Sequence, residues 1–99
     1  MTPKHRKPAE VFPPGEYLRE ELEARGWTQS QFAKIIGRPL QTVNGIINGK
    51  VAVTAQTAKE IAAAFETSAD LWMNLQGSYE LFIAPDADPA IHKRAEQVA

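Results

Sequence analysis

Between Thr28 and Lys50 the chain sets capping, small and apolar residues at spacings that fit two short helices joined by a tight turn. Thr28-Gln29-Ser30-Gln31 has the form of a capping box, in which the Thr28 hydroxyl accepts from the Gln31 backbone N–H and the Gln31 side chain accepts from Thr28. Counting from Gln29, small Ala33 falls where two helices must approach closely, and Gly37 falls at the turn. Val43 and Ile46 then share the inner face of the second helix, which runs from about Pro39 or Leu40 to Asn48 and closes at Gly49.

The flanks extend this pattern. Pro14 opens a first helix, with Leu18 and Leu22 on one face and Gly26 at its end. Thr54 caps a fourth helix with Ala58, Ile61, Ala62 and Phe65 inward, and Ser68 caps a fifth. Leu81, Phe82 and Ile83, apolar without periodicity, are expected to be irregular or extended. Asp88-Pro89 can start a short last helix. The expectation is an all-α, five-helix domain over residues 14–83 with the helix-turn-helix at 28–50. It carries a basic arm at 1–13, too poor in apolar residues to order itself, and a tail at 84–99.

Composition narrows the function. The 99 residues sum to a net charge of -1, yet Ala24 to Lys59 contains Arg25, Lys34, Arg38, Lys50 and Lys59 and no Asp or Glu. A basic face is therefore joined to an acidic body. The absence of Cys excludes disulfides, thiolate zinc sites and cysteine nucleophiles, and makes the cytoplasm the default address. No apolar run approaches the roughly 20 residues of a membrane span. The two histidines, His5 and His92, lie in the two tails, so neither a metal site nor a catalytic constellation is expected, and no cofactor.

Gln41, Thr42 and Asn44 lie on the polar outer face of the second helix of the pair, where such side chains can hydrogen-bond base edges. Lys34, Arg38 and Lys50 stand near helix ends, and Gln29 begins a helix whose N-terminal amides can face a phosphate oxygen.

At these residues the sequence resembles the Cro/repressor-like (XRE) helix-turn-helix family, and within it the HigA/VapI-type antitoxins. The likeness covers roughly residues 12 to 82. Its pieces are Pro14-Gly15-Glu16-Tyr17-Leu18, Thr28-Gln29-Ser30-Gln31-Phe32-Ala33, Arg38-Pro39-Leu40-Gln41-Thr42-Val43-Asn44, Ile47-Asn48-Gly49-Lys50 and Leu71-Trp72-Met73-Asn74-Leu75-Gln76. The resemblance implies a homodimer that binds operator DNA, represses its own operon and neutralises an RNA-cleaving toxin. By position it implies that Leu40, Gln41, Thr42, Asn44 and Gly45 face the major groove while Gln29, Arg38, Asn48 and Lys50 hold the phosphate backbone. Leu40 and Gly45 depart from the long polar residues often found there in the wider family, which suggests contact with a thymine methyl and close backbone approach.

Trp72 and Leu75 are expected in the core, while Met73 and Tyr79 are expected at a dimer or partner surface, because the fifth helix is more apolar than one stripe requires. The arm Lys4-His5-Arg6-Lys7 has three possible fates: DNA, toxin, or solvent. The competing reading is a stand-alone regulator, or a protein- or RNA-binding module without a toxin. Residues 28 to 50 offer an RNA only Phe32 for stacking, and Phe32 is expected to be buried.

The capping box generates one test. Thr28→Ala is expected to lower stability by about 0.5–2 kcal/mol, read from thermal melts, while affinity for DNA measured on the folded fraction changes little. A drop in affinity at unchanged stability would mean that Thr28 is not a cap.

Overall fold

The computed structural model describes residues 11–98. Its elements are α1 (Pro14–Arg25), α2 (Gln29–Ile36), α3 (Leu40–Ile47), α4 (Ala55–Phe65), α5 (Ala69–Ile83) and α6 (Ala90–Val98). The described residues contain no strand. The first ten residues, and with them Lys4-His5-Arg6-Lys7, lie outside the described residues.

The local signals act as their chemistry requires. Thr28 accepts from Gln31 N at 3.0 Å while Thr28 N donates to Gln31 Oε1 at 2.8 Å, so the capping box is complete. Thr54 forms a second box with Thr57, and the Ser68 hydroxyl accepts from Leu71 N. Gly37 closes α2 in the left-handed region at φ 72°. Glu66 takes the same conformation at φ 57° at the end of α4, where a glycine would be unstrained.

The helix count is six, where the sequence suggested five. Leu81, Phe82 and Ile83 continue α5 as regular helix, since nothing after Ser68 breaks it until Ala84 turns extended ahead of Pro85. The tail forms α6, begun by an Asp88 carboxylate that accepts from Ala90 N at 2.9 Å and pairs with Arg94 at 3.1 Å. No residue of α6 is buried, so this helix is built from local bonds.

The core is a single cluster contributed by α1 to α5 and the loop before α4. Phe65 is its centre: Phe32, Trp27 and Trp72 lie 5.1, 5.8 and 6.0 Å from it between ring centroids. The Arg25 guanidinium sits 4.3 Å over the Phe65 ring and closes the stack on its outer side. Trp72 is buried as expected, with its indole N–H donating to Thr67 Oγ1, and Leu75 is half-buried against the same cluster.

α3 is only eight residues long, too short to persist alone. It is seated by burying Val43, Ile46 and Ile47 against α1 and α2. The tightest contact comes from Gly15, in the first turn of α1. A Cβ there would lie 2.2 Å from the Ile46 carbonyl oxygen and 2.4 Å from that of Ile47. Only glycine lets the start of α1 rest on the last carbonyls of α3. Gly15→Ala is expected to push the two helices apart and cost about 1–3 kcal/mol, read as a lower thermal midpoint. An unchanged midpoint would show that the contact carries no strain.

Candidate nucleic-acid interface

The buried face of α3 fixes what its other face presents. With Val43, Ile46 and Ile47 inward, Leu40, Gln41 and Asn44 are exposed, and Thr42 and Gly45 are half-buried at the flanks. Leu40, Gln41, Asn44 and Gly45 line one shallow groove of about 500 Å³, completed by Lys50 and Val51 from the following loop. Thr42 lies outside that lining.

The loop is folded back onto α3. Gly49 adopts φ 74°, and the Gly45 carbonyl accepts from both Lys50 N at 2.8 Å and Val51 N at 3.1 Å. A Cβ on Gly45 would meet Val51 Cγ2 at 2.4 Å, so the glycine makes room for its own chain. Val51, 42% exposed, joins Leu40, 46% exposed, as an apolar pair on the groove wall. Sequence reasoning missed Val51, although Val51 outward and Val53 buried follow the two-residue alternation of extended chain.

A chain of amides crosses the helix pair. Asn48 Nδ2 donates to Asn44 Oδ1 at 2.9 Å, and Asn44 Nδ2 donates to Gln29 Oε1 at 3.1 Å. Gln29, half-buried at the start of α2, spends its amide oxygen on Asn44 and keeps its own N–H donors outside this chain of amides. Asn44 keeps one N–H donor uncommitted, so it couples the two helices as well as facing out. Gln29 also borders a second shallow groove with Arg19, Trp27 and Thr28.

The cations are placed differently from one another. Lys50 is exposed on the groove rim, and Lys34 is exposed in the last turn of α2, outside that groove. Arg38, in the turn itself, is joined to Glu60 of α4: Nε donates to Oε1 at 2.7 Å and Nη2 to Oε2 at 2.9 Å. Hydrogen bonds from Arg38 hold the Glu60 carboxyl below its ordinary pKa, against the opposing effect of desolvation. Nothing in the sequence signals this pair beyond Glu60 being the carboxylate that ends the acid-free stretch.

Gln76 was also missed as an anchor. It is buried in α5, where its Oε1 accepts from Val53 N at 2.8 Å and its Nε2 donates to Glu80 at 2.7 Å. The loop carrying Lys50 and Val51 is thereby pinned to α5. On that helix Met73 is exposed, whereas Tyr79 is half-buried, bordering a small cleft with Pro14, Gly49 and Ile83.

Among the described residues no group of three His, Cys, Asp or Glu side chains could hold a metal ion. His92 is exposed and lies 3.4 Å from Glu96. No helix of the described residues is long and apolar enough to cross a membrane.

Comparison with known proteins agrees with this geometry. A helix-turn-helix family model matches residues 18–72. The antitoxin HigA-1 of Vibrio cholerae is 36% identical over 83 residues, spanning 83% of this chain and 75% of that protein. Virulence-associated protein I of Dichelobacter nodosus is 32% identical over 80% of this chain and 74% of its own length. Among solved structures, the Pseudomonas aeruginosa antitoxin HigA with the higBA promoter superposes with a TM-score of 0.71 at 30% identity, covering 90% of this chain and 91% of that one. A second Pseudomonas aeruginosa protein, solved with its 18-base-pair operator DNA, gives 0.75 at 31% identity over 85% of this chain and 94% of its own. A match over residues 18–72 and these relatives make the chain a member of the helix-turn-helix family, within its HigA antitoxin branch.

Proposed function

We propose that this chain is the antitoxin of a toxin–antitoxin pair: a cytoplasmic homodimer that binds operator DNA, represses its own operon and neutralises a cognate RNA-cleaving toxin. It is a binding protein and not an enzyme. The observation that carries the DNA reading is the outward face of α3, a polar and apolar groove bordered by Lys50, in which Asn44 is bonded to Gln29 of α2.

In this reading α3 enters the major groove. Gln41 is the long exposed amide, suited to a two-point bond with adenine N6 and N7. Leu40 and Val51 form an apolar wall that suits a thymine methyl. Thr42 and the remaining N–H of Asn44 flank Gln41, and Gly45 acts through Val51, whose side chain fills the space that close backbone approach was expected to use. Gln29, Lys34, Arg38, Asn48 and Lys50 contact phosphates, which fixes the register but carries no sequence information.

Two copies are needed for a two-fold operator, with recognition helices about 34 Å apart. Exposed Met73 and the half-buried Tyr79 on α5 supply part of the apolar surface that a second copy covers. Support for the toxin partner comes from relatives that carry the name antitoxin. The reading as a regulator without a toxin shares the DNA chemistry and differs only in that partner.

Two variants test the division of labour. Gln41→Ala is expected to cost about 1–3 kcal/mol on the cognate upstream DNA and little on unrelated DNA. Lys50→Ala is expected to weaken both alike and to reduce the salt slope by about 1 for each phosphate no longer neutralised. Salt titrations with the reverse pattern would contradict these roles. Co-expression with the product of the adjacent reading frame tests the partner: rescue of growth is expected, and a harmless neighbour would leave the regulator reading.

A further inference from the structure

The Arg38 guanidinium is gripped along one edge only. Its two bonds to Glu60 engage Nε and Nη2 and fix the plane of the group, leaving three of its five N–H donors outside the pair. The side chain is 30% exposed, and among the described residues those three donors have no protein acceptor. Arg38 stands between Gly37, which ends α2, and Pro39, which precedes α3. Its own backbone is tied down by a bond from Arg38 N to the Ala33 carbonyl at 3.0 Å. Glu60 projects from α4, so the ion pair ties the turn that leads into α3 to that helix.

We propose that Glu60 is a positioning residue for DNA binding: it holds the Arg38 guanidinium with its open edge presented to a backbone phosphate at the entry to α3. This rests on the reading of Arg38 as a phosphate contact. A free arginine side chain must give up much of its rotamer freedom when it engages a phosphate. Here that ordering is complete before DNA arrives. A carboxylate behind a ligating histidine performs the same service for a metal ion. The charge pattern points the same way, because residues 24–59 admit no acid and the next residue is the carboxylate that grips Arg38.

The sign of the mutational effect separates this from simple electrostatics. Removing a negative charge beside DNA should tighten binding by Coulomb attraction alone. Positioning requires the opposite. Full-length Glu60→Gln, Glu60→Ala and Arg38→Ala are titrated below their melting temperatures against duplex DNA from upstream of the chain's own coding sequence. Glu60→Ala is expected to weaken binding about 2- to 12-fold per bound chain, the cost of immobilising one long side chain. Glu60→Gln, which keeps one acceptor for Arg38, should fall between it and the parent. The weakening should be the same on operators with altered bases, and Arg38→Ala combined with Glu60→Ala should bind no worse than Arg38→Ala alone. If the Glu60 variants bind as tightly as the parent or tighter while Arg38→Ala is weakened, the positioning role is wrong and the phosphate contact stands. Effects that add in the double variant also overturn the positioning role. If Arg38→Ala leaves both affinity and salt slope unchanged, the phosphate reading fails and the positioning role with it.

Discussion

The candidate nucleic-acid face follows from how α3 is seated against α1 and α2. Eight residues with no side-chain cap at the N-terminus do not make a stable helix, so α3 exists only while Val43, Ile46 and Ile47 are buried. The same burial decides its rotation about its own axis, and hence that Leu40, Gln41 and Asn44 face outward. Gly15 decides how closely α1 rests on the other end. A packing interaction on one side of the helix thus sets the chemistry on the other.

Polar groups then hold the surroundings of α3 in register. Asn44 links Asn48 to Gln29 and so joins α3 to the start of α2. The Gly45 carbonyl collects the loop that carries Lys50 and Val51, and Gln76 anchors the same loop from the core side. Arg38 and Glu60 tie the turn to α4. Groups that could meet a nucleic acid are therefore ordered in advance, which lowers the entropy lost on binding.

Much of this was legible because it is local. The box at Thr28, the cap at Thr54, the turn glycine Gly37 and the inward Val43 and Ile46 are set by residues close together in the chain. What escaped sequence reasoning joins distant residues: Arg38 to Glu60 across 22 positions, Val53 to Gln76 across 23, and Gly15 to the end of α3. Each residue type there has an ordinary reading in isolation, as a solvated acid, a polar helix residue or a turn glycine. The end of α5 misled for another reason. Leu81, Phe82 and Ile83 have no apolar stripe because they leave the core, and Phe82 is 63% exposed. Periodicity has no meaning where nothing is buried on one side. Of the candidate site, the outward face of α3 was readable, whereas the arrangement of its amides and cations was not.

If the outward face of α3 reads DNA from the major groove in two symmetric copies, its footprint on the bases is defined. Dimethyl sulfate interference on the upstream DNA reads that footprint, because the reagent marks guanine N7 in the major groove and adenine N3 in the minor groove. Interference is expected at major-groove guanines in two patches about one helical turn, or 34 Å, apart. Interference confined to minor-groove adenines, or a single patch with no symmetric mate, would contradict major-groove reading by a dimer.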